Sequence, residues 1–392
     1  MNADGSQSGF ILGDPVPWFR AQSLRGEPVD LHVSAGRWIV LAFLGSLSES
    51  HTQKRLAMLV KLAASCSEDH LMIYALLSAP PGDAARLATM NRANLKFIAD
   101  YGGAVGAYYG ARHAQQTVGH LEYETPRTVV LDPMLRAVAN IPCQPARQEE
   151  EQHDRILEQF LDELPLVENA AGVPLTAPVL MVPRVFDFAF CEHLIKLFDK
   201  IGGTDSGFLV ERGGQPATVT DHERKSRHDL VLVGPELCQM IRRHIVARLL
   251  PAVALYFQFA ATHMDRYVVA CYDSASGGHF LRHRDNMTAG VEHRRFAVSI
   301  NLNSDYEGCN LIFPEFGRRA YRAPAAGALV FSCGALHEVT PITKGKRYAF
   351  LPFLYGDADV KKSLKNNALL QTIGMNYRAE EHSLFREGAV RS

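Results

Sequence analysis

The sequence lacks an excess of charge of either sign, and it lacks long apolar runs. Its 392 residues include 41 Lys and Arg against 42 Asp and Glu, which gives a formal net charge of -1. This balance carries no electrostatic signature of a nucleic acid or an anionic membrane as partner. No apolar stretch approaches the length that spans a bilayer. We therefore expect no nucleic-acid partner and no membrane partner.

Cysteine is sparse, and the N-terminus has no leader pattern. The seven cysteines are scattered without a Cys-x-x-Cys pair. Such usage is typical of a reducing compartment, where thiols pack as small apolar groups. The opening residues, MNADGSQSGF, contain no basic segment followed by an apolar core, so they do not resemble a secretory signal. The predicted localisation is cytoplasmic.

Residues 1–165 alternate between strand-like and helix-like stretches. Continuous apolar runs at 38–44, 71–77 and 128–131 predict strands buried on both faces. Apolar residues at helical spacing follow at 54–64, 83–91 and 148–161. The alternation predicts an α/β layered domain. A Pro- and Ala-rich stretch without periodicity then indicates a linker over residues 166–178.

The rest of the chain places helices before strands. Residues 179–265 hold two helical patterns, one opening at Asp187 as the expected N-cap and one at 236–249. Residues 266–357 are rich in strand-like runs separated by Gly and Pro turns. This order predicts an α+β domain with a jelly-roll core, also called a double-stranded β-helix. The tail, residues 358–392, shows little pattern and is assigned no role.

A His-x-Asp pair followed by a distant histidine and an arginine is the most informative pattern. Alternate side chains of a strand share one face, so His283 and Asp285 can reach the same ion. His337 would arrive from a distant strand. Two imidazoles and one carboxylate can cover one face of an octahedral Fe(II), leaving positions for an organic co-substrate and O2. Arg347 offers a planar fork for a carboxylate.

Other histidines and arginines near this pattern do not belong to a comparable ordered set of ligand-type residues. His279 and His293 are therefore expected not to be ligands. Arg227 and Arg295 could line a substrate cleft, but a structural or solvated role is favoured for both.

The runs around the metal-like residues resemble one enzyme family. They are CYD at 271–273, GGHFLRHRDN at 277–286, HEVTP at 337–341 and GKRY at 345–348. They resemble the prolyl 4-hydroxylase branch of the Fe(II)/2-oxoglutarate dioxygenases, and especially the hypoxia-inducible-factor prolyl hydroxylase type. The resemblance is specific over residues 266–356 and thinner over 178–265.

The resemblance implies a role for individual residues. The iron ligands would be His283, Asp285 and His337. Arg347 would pair with the distal carboxylate of 2-oxoglutarate, and Tyr272 would lie along that co-substrate. Asn301 stands where close relatives carry a tyrosine, and it could still donate a hydrogen bond to the co-substrate. No catalytic residue beyond the iron site is expected.

The resemblance also implies the reaction. Fe(II) and O2 would couple oxidative decarboxylation of 2-oxoglutarate to succinate and CO2 with hydroxylation of a C–H bond, with ascorbate as reductant. Halogenating relatives have a small residue in place of Asp285, so its presence favours hydroxylation. The primary substrate would be a prolyl residue of a protein or a small molecule.

The N-terminal part resembles a second family. GDPVPWF at 13–19, GRWIVLAF at 36–43 and TPRTVVLDP at 125–133 resemble peroxiredoxins, which implies a thioredoxin-like fold. Peroxiredoxins carry a Pro-x-x-x-Thr-x-x-Cys loop after the second of these runs, but residues 44–52 here are LGSLSESHT. A hydroxyl cannot replace a low-pKa thiolate as the peroxide nucleophile, and Cys66 lies too far along the chain. We expect a non-peroxidatic domain and, since the family commonly dimerises, a homodimer through it.

Two alternatives to the oxygenase remain open. One is a non-catalytic binding or sensor protein built from a thioredoxin-like domain and a jelly roll. The other is a thiol peroxidase, which the missing cysteine opposes. Turnover of 2-oxoglutarate separates the oxygenase from the binding protein, and consumption of hydrogen peroxide tests the peroxidase.

Overall fold

The chain divides into two units in a computed structural model, which is the structure described here. The structure describes residues 11–44, 47, 50–78, 87, 89–90, 92–111, 126–143, 147–212, 215–371 and 383–385. The first unit comprises Met1–Thr176 together with Pro314–Arg318, and the second comprises Ala177–Phe313 together with Arg319–Ser392. The division at residue 176 falls inside the stretch predicted to be a linker.

Apolar runs of the first unit form the strands of a mixed sheet. The strands of the first unit are β1 (Arg20–Gln22), β2 (Pro28–Asp30), β3 (Trp38–Leu44), β4 (Leu71–Leu77), β5 (Leu95–Ala99), β6 (Arg127–Leu131) and β7 (Ala137–Pro142). Its helices are α1 (Ser50–Ser65), α2 (Ala104–Tyr108) and α3 (Arg147–Asp162). The mixed sheet has the order β5-β4-β3-β6-β7. Strands β3, β4 and β5 are parallel to one another, β6 pairs antiparallel with β3, and β7 pairs antiparallel with β6.

Burial explains why these runs are strands. Every residue of β3 and β4 is buried, as expected for strands covered on both faces. Leu56 and Leu59 of α1 and Leu157 of α3 pack in the same core cluster as Val40 and Ile73 of the sheet. The predicted α/β, thioredoxin-like arrangement is confirmed. The helix predicted at 83–91 lies mostly outside the described residues, as do residues 45, 46, 48 and 49 of the loop after β3.

The second unit combines helices with two larger sheets. Its helices are α4 (Phe188–Ile201), α5 (Pro235–His244), α6 (Leu250–Phe257) and α7 (Val360–Gln371). Its strands are β8 (Leu180–Val182), β9 (Thr204–Asp205), β10 (Phe208–Arg212), β11 (Gln215–Val219), β12 (Lys225–Ser226), β13 (His228–Val231), β14 (His263–Asp265), β15 (Val268–Asp273), β16 (His279–His283), β17 (Phe296–Asn301), β18 (Glu307–Gly308), β19 (Leu311–Ile312), β20 (Ala320–Tyr321), β21 (Ala328–Ser332), β22 (His337–Val339), β23 (Ile342–Lys344), β24 (Lys346–Phe350) and β25 (Phe353–Tyr355).

The two sheets carry different parts of the predicted site. The larger has the order β14-β25-β17-β24-β15-β13-β9, with β21 paired to β17 and β8 paired to β21. The smaller has the order β12-β16-β22-β19-β20. Apolar residues of α4, α5 and α6 pack in one core cluster with Val298 and Ile300 of β17 and Phe350 of β24. The larger sheet thus gains a rigid support on its helical side.

The structure adds detail to two of the helix predictions. Asp187 does occupy the N-cap position of α4, but its side chain makes no capping hydrogen bond. Its carboxylate instead accepts hydrogen bonds from His244 and Arg248. The pattern at 236–249 continues beyond its predicted end, because a π-helical turn at Ile245–Leu249 leads directly into α6. Pro251 lacks the N–H of a regular α-helical bond, and a π turn is one way to accommodate that loss.

The tail also contains structure that its sequence pattern did not indicate. Residues 360–371 form α7, whose buried side chains include Ser363, Asn366 and Asn367. Asn366 lies within hydrogen-bond distance of the ring of His293, which itself faces Asp265. A helix whose buried face is polar has no apolar stripe to reveal it. Within the described parts of the chain, no helix combines the length and apolarity that crossing a membrane requires.

Candidate metal centre and co-substrate pocket

The structure brings the three predicted ligands together on the smaller sheet. His283 ends β16 and His337 begins β22, and the two residues are direct partners across this antiparallel pair. Asp285 follows β16, and its backbone N–H donates to the carbonyl oxygen of Cys333 at 2.9 Å. One potential ligand atom from each of the three side chains lies within 4.8 Å of the others.

The hydrogen bonds of the two imidazoles determine which nitrogen faces the centre. Nδ1 of His283 lies 2.8 Å from the carbonyl oxygen of Leu281, and Nδ1 of His337 lies 3.1 Å from that of Ala335. A carbonyl oxygen only accepts, so each Nδ1 donates to it and each Nε2 is the nitrogen that faces Asp285. These Nε2 atoms lie 3.6 Å and 3.4 Å from the carboxylate oxygens of Asp285.

These distances suit ligands in neighbouring positions around one ion. Two ligands about 2.1 Å from a metal, at right angles to each other, are about 3 Å apart. Burial lowers the pKa of His283 well below its usual range, and the nearby His337 lowers it further. The ring of His283 is therefore neutral near pH 7, as a metal ligand must be. Two imidazoles and one carboxylate fit the donor set that holds Fe(II) and leaves other positions open.

Aromatic rings surround the two histidines. The ring of Phe280 stacks on His283 with 3.6 Å between centroids, and Phe331 packs edge-on against His337 at 4.7 Å. Phe313 lies 6.2 Å from His337 by the same measure. An apolar shell of this kind orients ligands and limits the access of water.

Arg347 lies on β24 of the larger sheet, and its side chain is buried. Nε donates to Oδ1 of Asn301 at 3.0 Å, and Nη2 donates to Oγ of Ser299 at 2.7 Å. Nη1 faces the sulfur of Cys309 at 3.7 Å. Among the described residues, no carboxylate forms an ion pair with this side chain. A buried cation normally has an anionic partner, so this site is suited to an anionic ligand.

The guanidinium of Arg347 is chemically suited to bind a carboxylate. It carries five hydrogens in a planar fork, of which its contacts with Asn301, Ser299 and Cys309 use one each, and it also lies within hydrogen-bond reach of the Tyr306 hydroxyl. Two parallel N–H groups of one guanidinium are the usual partners of a bidentate carboxylate. The donor set therefore fits the distal carboxylate of 2-oxoglutarate.

Asn301 supports Arg347 from the end of β17. Its Oδ1 accepts from Arg347, while its Nδ2 donates to the hydroxyl of Tyr306 at 2.9 Å and to the carbonyl oxygen of Ala323 at 2.7 Å. Both hydrogens of the amide already have acceptors within the protein. The structure thus places Asn301 in contact with Arg347, with both of its amide hydrogens donated within the protein.

Tyr272 lies between two arginines. Its ring is 5.5 Å from the guanidinium carbon of Arg347 and 5.7 Å from that of Arg227. Nη1 of Arg227 donates to the Tyr272 hydroxyl at 3.3 Å, and Nη2 donates to Asp229 at 2.7 Å. These buried contacts of Arg227 with Tyr272 and Asp229 agree with the structural role that was favoured for it.

Asp229 balances the charge of this cluster. Its Oδ2 accepts hydrogen bonds from Arg227, from Arg266 at 3.0 Å and from Ser206 at 2.6 Å. Burial alone would raise the pKa of Asp229, but the positive charges of Arg227, Arg266 and Lys225 lower it below its usual range. A carboxyl with a lowered folded-state pKa stabilises the fold above its unfolded pKa of about 3.9, and this stability is lost as the pH falls through the folded value.

We expect Asp229→Asn to destabilise the second unit by about 3–5 kcal/mol at pH 7, because it leaves the buried Arg227 without its counter-charge. Scanning calorimetry would measure the shift in melting temperature, and the shift should shrink in strongly acidic buffer as the wild-type carboxyl is protonated. Asp187→Asn is a matched control, since that carboxylate is exposed and its ion pairs are screened by solvent. Equal shifts for the two variants would contradict the assignment.

The remaining candidates lie apart from the ligand cluster. His279 contacts the carbonyl oxygens of Gly277 and Glu223, and His293 contacts Asp265. Neither belongs to the three-residue group that could hold a metal. Arg295 forms a two-pronged ion pair with Asp359, which agrees with the structural role favoured for it.

Sequence reasoning missed Ser299 and Tyr306 as neighbours of Arg347. Ser299 lies two residues before Asn301 on β17, so alternation along the strand places both side chains on one face. This spacing could have identified Ser299. Tyr306 lies in the loop before β18, where no periodicity points to a partner.

Two family models match separate parts of the chain. Residues 267–355 match the 2OG-Fe(II) oxygenase superfamily, and residues 12–138 match the AhpC/TSA family. The first match contains the three candidate ligands and Arg347. The second ends before α3.

Curated relatives match the C-terminal part at modest identity. A PKHD-type hydroxylase of Nitrosomonas europaea is 27% identical over 157 residues, which are 37% of this chain and 65% of that protein. A PKHD-type hydroxylase of a Janthinobacterium species is 27% identical over 201 residues, 47% of this chain and 83% of the other. The chain therefore spans just under two thirds of the first relative's length.

Solved structures resemble the two parts separately. A prolyl hydroxylase from Trichoplax adhaerens, in complex with a hypoxia-inducible-factor peptide, is 15% identical with a TM-score of 0.39, covering 56% of this chain and 98% of its own. Peroxidoxin BcpB from Mycobacterium tuberculosis is 20% identical with a TM-score of 0.32, covering 38% of this chain and 97% of its own.

Proposed function

We propose that this chain, which carries a 2OG-Fe(II) oxygenase domain and an AhpC/TSA-family domain, is an Fe(II)- and 2-oxoglutarate-dependent hydroxylase. One observation carries the proposal. A cluster of two imidazoles and a carboxylate occurs in the same unit as a buried guanidinium that has no acidic partner among the described residues. The first group suits Fe(II), and the second suits a dicarboxylate that would bind beside it.

The chain's own residues would bind and orient the reactants. His283, Asp285 and His337 would hold Fe(II), and their Nδ1 hydrogen bonds to carbonyl oxygens keep the imidazoles in the correct tautomer. Arg347 would bind the distal carboxylate of 2-oxoglutarate. Bound Fe(II) would activate O2, so that decarboxylation of 2-oxoglutarate is coupled to hydroxylation of a substrate C–H bond. The aromatic rings around the histidines would exclude water during that reaction.

Domain roles follow from this assignment. We propose that the strands of the two larger sheets that lie within residues 266–357 form the double-stranded β-helix, with residues 179–265 as the helical support region. The N-terminal domain, residues 1–165, would act in the cytoplasm as a non-peroxidatic module and would dimerise. Light scattering after gel filtration of the full chain tests the dimer, and a monomeric mass would contradict it.

Turnover of 2-oxoglutarate tests the oxygenase directly. Purified protein with Fe(II), ascorbate and O2 should release CO2 and succinate from 2-oxoglutarate slowly on its own, and faster once a substrate is present. Peptides containing proline and a panel of free amino acids would be compared as substrates. Protein that binds Fe(II) and 2-oxoglutarate but never forms succinate would favour the non-catalytic sensor.

We expect no thiol peroxidase activity from the full chain. Cys66 lies just after α1 and is only partly buried, while Cys143 is buried, and neither stands in the loop that carries the nucleophile in peroxiredoxins. Consumption of hydrogen peroxide with dithiothreitol as reductant should therefore match that of a variant with both cysteines replaced by serine. Faster consumption by the unsubstituted protein would favour the peroxidase.

A further inference from the structure

Tyr306 places a phenol beside the buried arginine, from a part of the chain that the metal pattern does not include. The side chain of Asn301 bridges the two, accepting from Nε of Arg347 at 3.0 Å and donating to the Tyr306 hydroxyl at 2.9 Å. Because one amide contacts both groups, the phenol and the guanidinium are neighbours. Tyr306 is only 4% exposed.

The orientation of this phenol is fixed by a second arginine. The guanidinium of Arg322 lies over the Tyr306 ring, 4.5 Å from its centroid, and Nη1 of Arg322 donates to the backbone oxygen of Tyr306 at 3.1 Å. Nε of Arg322 donates to Asn310 at 2.8 Å, so the arginine is itself held. A ring clamped in this way keeps its hydroxyl in one place.

The Tyr306 hydroxyl has an unused hydrogen. Its oxygen accepts from Asn301, and no acceptor for its own proton is recorded among the described residues. Burial raises the pKa of Tyr306, and the nearby Arg347 and Arg322 offset part of that rise. The phenol therefore remains protonated at neutral pH and can donate. A buried donor without an acceptor is costly unless a ligand or a water provides one.

We infer that Tyr306 donates the second hydrogen bond to the distal carboxylate of 2-oxoglutarate, beside the clamp formed by Arg347. Asn301 occupies the strand position whose side chain could have donated, but both of its amide hydrogens have protein acceptors. It acts instead as a positioning residue that aligns the arginine and the phenol. The inference rests on the proposed function, because it concerns the co-substrate of that same site.

The affinity for ligands with and without a distal carboxylate tests this role. Calorimetry under anaerobic conditions would titrate the Fe(II)-loaded full chain with 2-oxoglutarate and with pyruvate, which lacks that carboxylate. Tyr306→Phe removes only the hydroxyl. We expect it to weaken 2-oxoglutarate binding about 10- to 100-fold, as for the loss of a hydrogen bond to a charged group. Pyruvate binding should change less than about twofold.

The controls separate positioning from general damage. Tyr355→Phe removes another buried phenolic hydroxyl, which contacts Ser363 of α7, and should leave both affinities unchanged. Equal affinities of wild type and Tyr306→Phe for 2-oxoglutarate, or an equal loss for both ligands, would overturn the inference. If wild type itself does not bind 2-oxoglutarate, the proposed function fails instead. Should Tyr306→Phe not fold, Asn301→Ala provides the second test, since it frees the phenol and should weaken 2-oxoglutarate selectively.

Discussion

His283→Ala should abolish the formation of a complex between the protein, Fe(II) and 2-oxoglutarate. In wild type, anaerobic addition of Fe(II) and then 2-oxoglutarate should produce a visible metal-to-ligand charge-transfer band that saturates. The substitution removes one of the three protein ligands of the ion. Mutations of mere outer-shell partners already cost about 10- to 100-fold in metal affinity, so losing a ligand itself should cost more than a hundredfold.

The matched control for this experiment lies on the same strand. His279 begins β16 and His283 ends it, but the ring of His279 is directed to the backbone carbonyl oxygens of Gly277 and Glu223. His279→Ala should therefore keep the band and its titration midpoint. A folded His283→Ala protein that still develops the band would remove this histidine from the iron site. Loss of the band in both variants would indicate that β16 has been disrupted.

The candidate metal site could be predicted because two of its three ligands form a short His-x-Asp pattern in the sequence. The His-x-Asp spacing places two ligands on one side of a strand, and the structure sets His337 directly across from His283. The strands of the first unit were equally visible, since β3 and β4 are continuous apolar runs buried on both faces. For the His-x-Asp pair and for these two strands, the physical reason for the structure lies within one short stretch of chain.

Features that depend on tertiary partners were not accessible in the same way. The position of the Tyr306 side chain depends on contacts with Asn301 and Arg322, which are 5 and 16 residues away in the chain. The helix α7 buries Ser363 and Asn366 where a packed helix usually buries apolar residues. Its Asn366 is satisfied by the ring of His293, far away in sequence. Polar groups are buried where a distant partner meets them, and the sequence does not announce that partner.

Arg347→Gln should weaken 2-oxoglutarate binding by about two to three orders of magnitude while leaving Fe(II) binding intact. Removing one member of a buried, hydrogen-bonded charge pair typically costs about 2–5 kcal/mol. The 2-oxoglutarate affinity of Arg347→Lys should fall between those of wild type and Arg347→Gln, because an ammonium keeps the charge but loses the planar fork. Anaerobic calorimetry with 2-oxoglutarate gives the affinity, and a colorimetric assay of iron retained after gel filtration gives the metal content.

The pattern of losses across two variants then identifies what each residue does. Arg295→Gln is the matched control, since its guanidinium pairs with Asp359 outside the pocket, and it should bind 2-oxoglutarate as wild type does. Arg347→Gln should retain iron and the affinity for pyruvate, whereas His283→Ala should lose both. If Arg347→Gln binds 2-oxoglutarate normally, the buried guanidinium serves the fold alone. The dicarboxylate would then have to bind at another site.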